Sequence, residues 1–255
     1  MFSRIAAFVY GVVCYLAFFG TFLYAIGFMG NFGVPKTMDS GPQRPFLEAL
    51  LINSLLLGVF AVQHSVMARP WFKKAWTKLV PQVVERSTYV LFSSVALLLL
   101  FALWQPMGGV IWNVESASAR AILYAIYGIG LVTVLIATFL INHFDLFGLR
   151  QVWLNLIGRP YTSLPFKTPG LYRYVRHPLY VGWLLSFWAT PTMTVAHLVF
   201  AVATSLYIFV AIQFEENDLV QAHREYAEYR ERVPMLVPVR STKAPEREAA
   251  SGQVA

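Results

Sequence analysis

The chain has 255 residues, of which 57% are hydrophobic, 16% aromatic and only 13% charged. Soluble domains carry about a quarter charged residues, so this composition excludes a water-soluble domain, and it is too apolar for disorder. A formal charge of +7 raises a nucleic-acid partner, and the positions of the charges decide that question.

Taken in chain order, five stretches are long, apolar and almost free of charge. Ile5 to Met29 has none, and it is too long for a signal-peptide core and lacks a small-residue cleavage site, which predicts a retained span. Its Cys14 is the single cysteine, so no disulfide framework or cysteine metal set is available. Phe46 to Ala68 carries only Glu48 and His64. Ser87 to Val114 is uncharged, with Gln105-Pro106 and Gly108-Gly109 marking its exit, and so is Ala121 to Asn142. A span needs about 20 residues, so each of these four fits one helix.

Pro178 to Phe214 does not fit, because 37 uncharged residues would make a helix of roughly 55 Å against a hydrocarbon core of about 30 Å. Pro191 is the expected break, giving a hairpin with a short arm over 179–190 and a longer one over 193–214. Its ends return to one face. After it, Leu219, Ala222, Tyr226, Tyr229 and Val233 are spaced 3, 4, 3, 4, which predicts an amphipathic helix on the membrane surface. Residues 239–255 form a tail, rich in Ala, Glu and Ser from Ala244, that is expected to be disordered.

Of the 20 Lys and Arg residues, 17 fall in the N-terminus, the 69–86 loop, the 143–177 segment and the tail after 214. The positive-inside rule makes that face cytoplasmic. The basic excess is therefore topology, and no nucleic-acid partner is expected.

Polar residues at membrane depth are costly and mark function. Three clusters stand out. Gln63-His64-Ser65 ends the second run. Asn142-His143-Phe144-Asp145 ends the fourth, and His143 with Asp145 can act as base and orienting carboxylate only where the helix is interrupted, since positions two apart face different ways. The third joins Tyr172, Tyr174 and Arg176-His177-Pro178-Leu179-Tyr180 to Glu215-Glu216 across the hairpin. Pro178 suits a helix start, whose free amides bind an anion. Glu215 and Glu216 can take an ammonium or ribose hydroxyls, and the tyrosine rings can face a cation. S-adenosyl-L-methionine has that description.

Arg176 to Trp183, Glu215-Glu216 and Glu225-Tyr226-Ala227-Glu228-Tyr229-Arg230-Glu231-Arg232-Val233-Pro234 resemble the isoprenylcysteine carboxyl methyltransferase superfamily, integral-membrane enzymes using S-adenosyl-L-methionine. The match covers roughly 164–238. It implies that Tyr172, His177, Pro178, Leu179, Tyr180 and Glu215 contact the cofactor, with backbone near 164–167; Arg176 and Glu216 stand in the same motif and are candidates beside them. Prenylcysteine enzymes place an Arg four residues before that Glu to hold the substrate carboxylate, whereas this chain has Ala211 and no Arg from 178 to 214. The other segments, Gln63 to Arg69, Glu85 to Tyr89 and Asn142 to Leu149, are similar to the bacterial thiol methyltransferases of that superfamily, which convert methanethiol to dimethyl sulfide. Denitrification-associated membrane proteins share part of the pattern.

The expectation is an all-α membrane bundle with four full spans, a C-terminal helical hairpin and a cytoplasmic amphipathic helix. Residues 1–142 would form the N-terminal bundle and 143–238 the cofactor core. The expected reaction is methyl transfer from S-adenosyl-L-methionine to a small thiol in the bacterial inner membrane, without a metal, with His143 oriented by Asp145 as base and His64 as the second candidate. The alternatives are a larger thiol, a lipid amine or a prenyl-like acceptor, or a scaffold or transporter without catalysis. Oligomeric state is not legible.

Overall fold

The computed structural model describes residues 2–238. The tail from 239 onward, expected to be disordered, lies outside the described residues.

Ten helices follow in order among these residues. They are α1 (Phe2–Gly30), α2 (Phe46–Ala68), α3 (Pro70–Trp76), α4 (Gln82–Leu103), α5 (Ala117–Ile141), α6 (His143–Leu146), α7 (Leu149–Leu156), α8 (Pro178–Trp188), α9 (Val195–Ala222) and α10 (Arg224–Arg232). A 3-10 turn covers Gly170–Arg173, and two short strands are β1 (Val110–Asn113) and β2 (Thr192–Thr194). Helices α1, α2, α4, α5 and α9 are long and apolar enough to cross a bilayer. The protein is an all-α, multi-pass membrane bundle.

The starts follow local rules. Pro70 and Pro178 occupy the first turns of α3 and α8, where no amide is needed. The hydroxyl of Thr194 accepts from the His197 amide and caps α9, and the Asn142 side chain accepts from the Asp145 amide and opens α6.

Several boundaries differ from expectation. The third run leaves the helix at Leu103 rather than Val114, and its remainder supplies β1. The fifth run does break around Pro191, yet Thr192–Thr194 pairs antiparallel with β1, and the long arm runs on to Ala222. The 3, 4, 3, 4 spacing from Leu219 to Val233 is not one helix. At His223 the backbone turns extended (φ −136°, ψ 113°), so Leu219 and Ala222 belong to α9 while Tyr226 and Tyr229 are buried on α10.

The core gathers aromatic rings from α1, α4, α8 and α9: Trp104 meets Phe28 and Phe200 edge-on, and Phe187 packs on Phe200. Helices α5 and α8 come closest. A Cβ on Gly182 would lie 2.6 Å from the Gly130 carbonyl oxygen, so glycine on both sides permits the contact. That contact fixes where α8 begins, and with it the polar corner.

Candidate active site

His177 precedes α8 and Pro178 is its first residue, which leaves the Leu179 and Tyr180 amides without a side-chain cap. The chain leading into this turn is clasped by the C-terminal segment: the Arg176 amide donates to the Pro234 carbonyl (2.9 Å) and the His177 amide to that of Met235 (3.2 Å). Arg176 Nη1 donates to the carbonyls of Arg230 (2.8 Å) and Val233 (2.6 Å), and Nε donates to Glu216 Oε1 (2.7 Å). His177 Nε2 reaches the same oxygen at 3.0 Å, and the Tyr226 hydroxyl donates to it at 3.3 Å.

Arg176 and Glu216 were expected at the cofactor. Their polar atoms meet each other in a buried node that locks the α8 entry to α9 and α10. The adjacent Glu215 differs. Its side chain is 43% exposed against 5% for Glu216, and it accepts the Tyr180 hydroxyl at 2.9 Å. Sequence alone could not separate two neighbouring glutamates, because the helical 100° between them decides which one faces the clasp.

Tyr172 sits in the 3-10 turn, where its carbonyl accepts the Tyr229 hydroxyl (2.6 Å). Phe166 packs on Tyr226 and Tyr229, which places the 164–167 segment against α10. Burial pushes the Tyr229 hydroxyl up to about 12, and burial with the charges of Glu216 and Glu215 raises that of Tyr226. Both stay neutral hydrogen-bond donors.

His64 approaches the same face from α2. Its Nδ1 is 3.1 Å from Ser93 Oγ and its ring nitrogens are 3.0 Å from the Tyr89 hydroxyl, both on α4. The next residue, Ser65, is hydrogen-bonded to Tyr207 of α9 (3.0 Å). Tyr207 and Glu215 both belong to α9, so the Ser65 contact ties the α2 end to the helix that carries Glu215. Ser93 and Tyr207 were missed by sequence reasoning, although hydroxyls near the end of an apolar span are a readable signal.

His143 lies in a different setting. Nδ1 is hydrogen-bonded to Thr138 (2.8 Å) and Nε2 to Tyr15 (2.9 Å), and the ring stacks on Phe139 at 4.2 Å. Burial pushes its pKa down, keeping it neutral. Asp145 does not orient it. Asn142 restarts the chain as a new helical turn, so His143 points inward while Asp145 accepts Arg150 Nη1 (2.9 Å) and the Tyr161 hydroxyl (3.4 Å). The expected His143–Asp145 pair is therefore not formed.

The corner offers two open amides at a helix start, an available carboxylate and tyrosine rings. That donor set fits a zwitterion whose anionic end meets the amides and whose cationic end meets Glu215.

The Isoprenylcysteine carboxyl methyltransferase (ICMT) family model matches residues 124–221, a range that holds α8 and both glutamates. Methanethiol S-methyltransferase of Crocosphaera subtropica is 58% identical over 92% of this chain and 93% of its own length. The protein of that name from Mycobacterium tuberculosis is 52% identical over 92% and 97%. Nurim of Rattus norvegicus is 29% identical over 69% and 70%. No solved structure matches. At this identity and coverage the chain belongs to the isoprenylcysteine carboxyl methyltransferase family, among its methanethiol S-methyltransferases.

Proposed function

We propose that the chain methylates methanethiol to dimethyl sulfide with S-adenosyl-L-methionine as donor, at the cytoplasmic face of a bacterial inner membrane. When bound, S-adenosyl-L-methionine supplies an electrophilic methyl group on a sulfonium, which a thiolate sulfur can take. The Leu179 and Tyr180 amides would hold its carboxylate, Glu215 its amine or ribose hydroxyls, and Tyr172 and Tyr180 its flat or cationic parts. Residues 143–238 would thus be the cofactor core, with the thiol side supplied by residues 1–142.

His64 is the base that the geometry supports best. A thiol must lose its proton to become a strong nucleophile, and a neutral imidazole accepts it. The observations that carry this reading are that His64 meets the Tyr89 hydroxyl, that its neighbour Ser65 meets Tyr207 of α9, and that Tyr180 meets Glu215 on that same helix. His143 has both nitrogens engaged by Tyr15 and Thr138 and an aromatic face beneath it, which suits a packing role. An acceptor without a carboxylate suits the hairpin, because residues 178–214 hold no Lys or Arg to pair with one. An apolar groove along α8, lined by Val181, Leu184, Leu185 and Trp188 with Ile126 and Phe209, supports entry from the bilayer.

The test compares His64→Ala with His143→Ala, measuring headspace dimethyl sulfide from supplied methanethiol and donor affinity by calorimetry. General-base loss costs about 10²–10⁴-fold in turnover. His64→Ala should show that loss with donor affinity retained, and His143→Ala should keep most of its turnover. The opposite ranking would return the base to His143.

A further inference from the structure

Helix α3 joins α2 to α4 in seven residues, Pro-Trp-Phe-Lys-Lys-Ala-Trp. At its entrance, Arg69 pairs with Asp218 of α9 (2.9 Å), donates to the Ser65 carbonyl (3.1 Å) and lies over the Phe214 ring (5.5 Å). These contacts put α3 at the same membrane face as Glu215. Trp76 stacks on Phe72 and meets Phe92 of α4 edge-on. Within that contact the Trp76 Nε1 is buried and has no hydrogen-bond partner among the described residues.

Lys73 is one turn before Trp76, on the same side of α3. Its ammonium forms none of the ion pairs among the described residues. The charges around it are Arg86, Glu85, Arg69 and Asp218, and Asp218 is already held by Arg69. Burial, then the neighbouring Arg86, brings the Lys73 pKa down to about 8. A buried indole N–H without an acceptor and an unpaired ammonium one turn away on the same side of the helix are both unfavourable, and an anionic oxygen group reaching that side would serve both.

We propose that Lys73 and the Trp76 indole N–H, one turn apart on α3, form a binding site for a phosphate group, filled by the phosphodiester of an anionic membrane lipid. The surroundings favour that source. Trp71 and Leu79 flank the site at 64% and 80% exposure, and such side chains settle at the bilayer interface. Lys74 and Lys78 add exposed positive charge that draws anionic lipid to this face.

The test uses the purified full chain in detergent, with phosphatidylglycerol, phosphatidylcholine or inorganic phosphate added in separate arms. Native mass spectrometry reads lipid retention and thermal unfolding reads stabilisation. The parent chain should retain phosphatidylglycerol, and Lys73→Gln/Trp76→Phe should lower that retention by about five-fold or more. Lys74→Gln, on an exposed neighbour, should not. If the double variant misfolds, Lys73→Gln alone carries the comparison. Protection by inorganic phosphate without lipid retention keeps the phosphate site and moves its source to the aqueous side. Equal behaviour of parent and variants in every arm would overturn the site.

Discussion

Glu215 and Glu216 are chemically identical neighbours with opposite fates. Glu216 shares one oxygen among Arg176, His177 and Tyr226 in a buried setting, and removing one partner of such a pair leaves a charge uncompensated at about 3–5 kcal/mol. Glu216→Gln should therefore lower thermal stability by that order while surviving folded enzyme keeps its donor affinity. Glu215 is partly exposed and meets Tyr180. Glu215→Gln should leave the unfolding temperature nearly unchanged and weaken donor binding by about ten-fold or more, as calorimetry would read. Equal effects of the two substitutions would contradict the division of labour. At this scale the sequence singled out His177, Tyr180 and Glu215 together, and the fold does bring them to one place. It could not tell which carboxylate turns inward, nor that Arg150 would take Asp145, because both depend on how helices rotate against one another.

The meeting of α5 and α8 sets the position of the reaction corner. Adding a side chain where Gly182 faces Gly130 forces the helices apart, and overpacking of this kind costs about 1–3 kcal/mol or more. Gly182→Val should lower both thermal stability and donor affinity, because α8 carries the two open amides. Gly128→Ala, on the same helix α5 but with open space around it, should change neither, and both are checked by unfolding and calorimetry on detergent-purified protein. The spans themselves were legible, since uncharged length alone marks a segment for the bilayer. The ribbon of β1 and β2 was not. Val110–Asn113 pairs with residues more than 75 positions away, and no local pattern announces a partner at that distance. The break at His223 was hidden for a related reason: the 3, 4 spacing continues across it, while burial of Tyr226 and Tyr229 against Phe166 and Glu216 pulls α10 out of line.

Across the whole molecule, basic residues, the α3 loop and the clasped C-terminal segment share one face. With Cys14 buried, single cysteines can report that arrangement in intact cells. A membrane-impermeant thiol reagent should label Glu115→Cys from outside and should spare Lys74→Cys until the cells are opened; the reverse pattern would invert the topology. The bundle also has an order of construction. Helix α8 has 11 residues, so it reaches about 16 Å, roughly half the hydrocarbon thickness. It is too short for a span of its own, while α9 with its 28 residues is long and apolar enough to cross. The glycine face of α5 is covered by α8, so it stays open until that later segment has been made. The clasp at Pro234 and Met235 is the last part to be made, so a nascent chain stalled before them would lack the two bonds that hold the Arg176 and His177 amides at the start of α8.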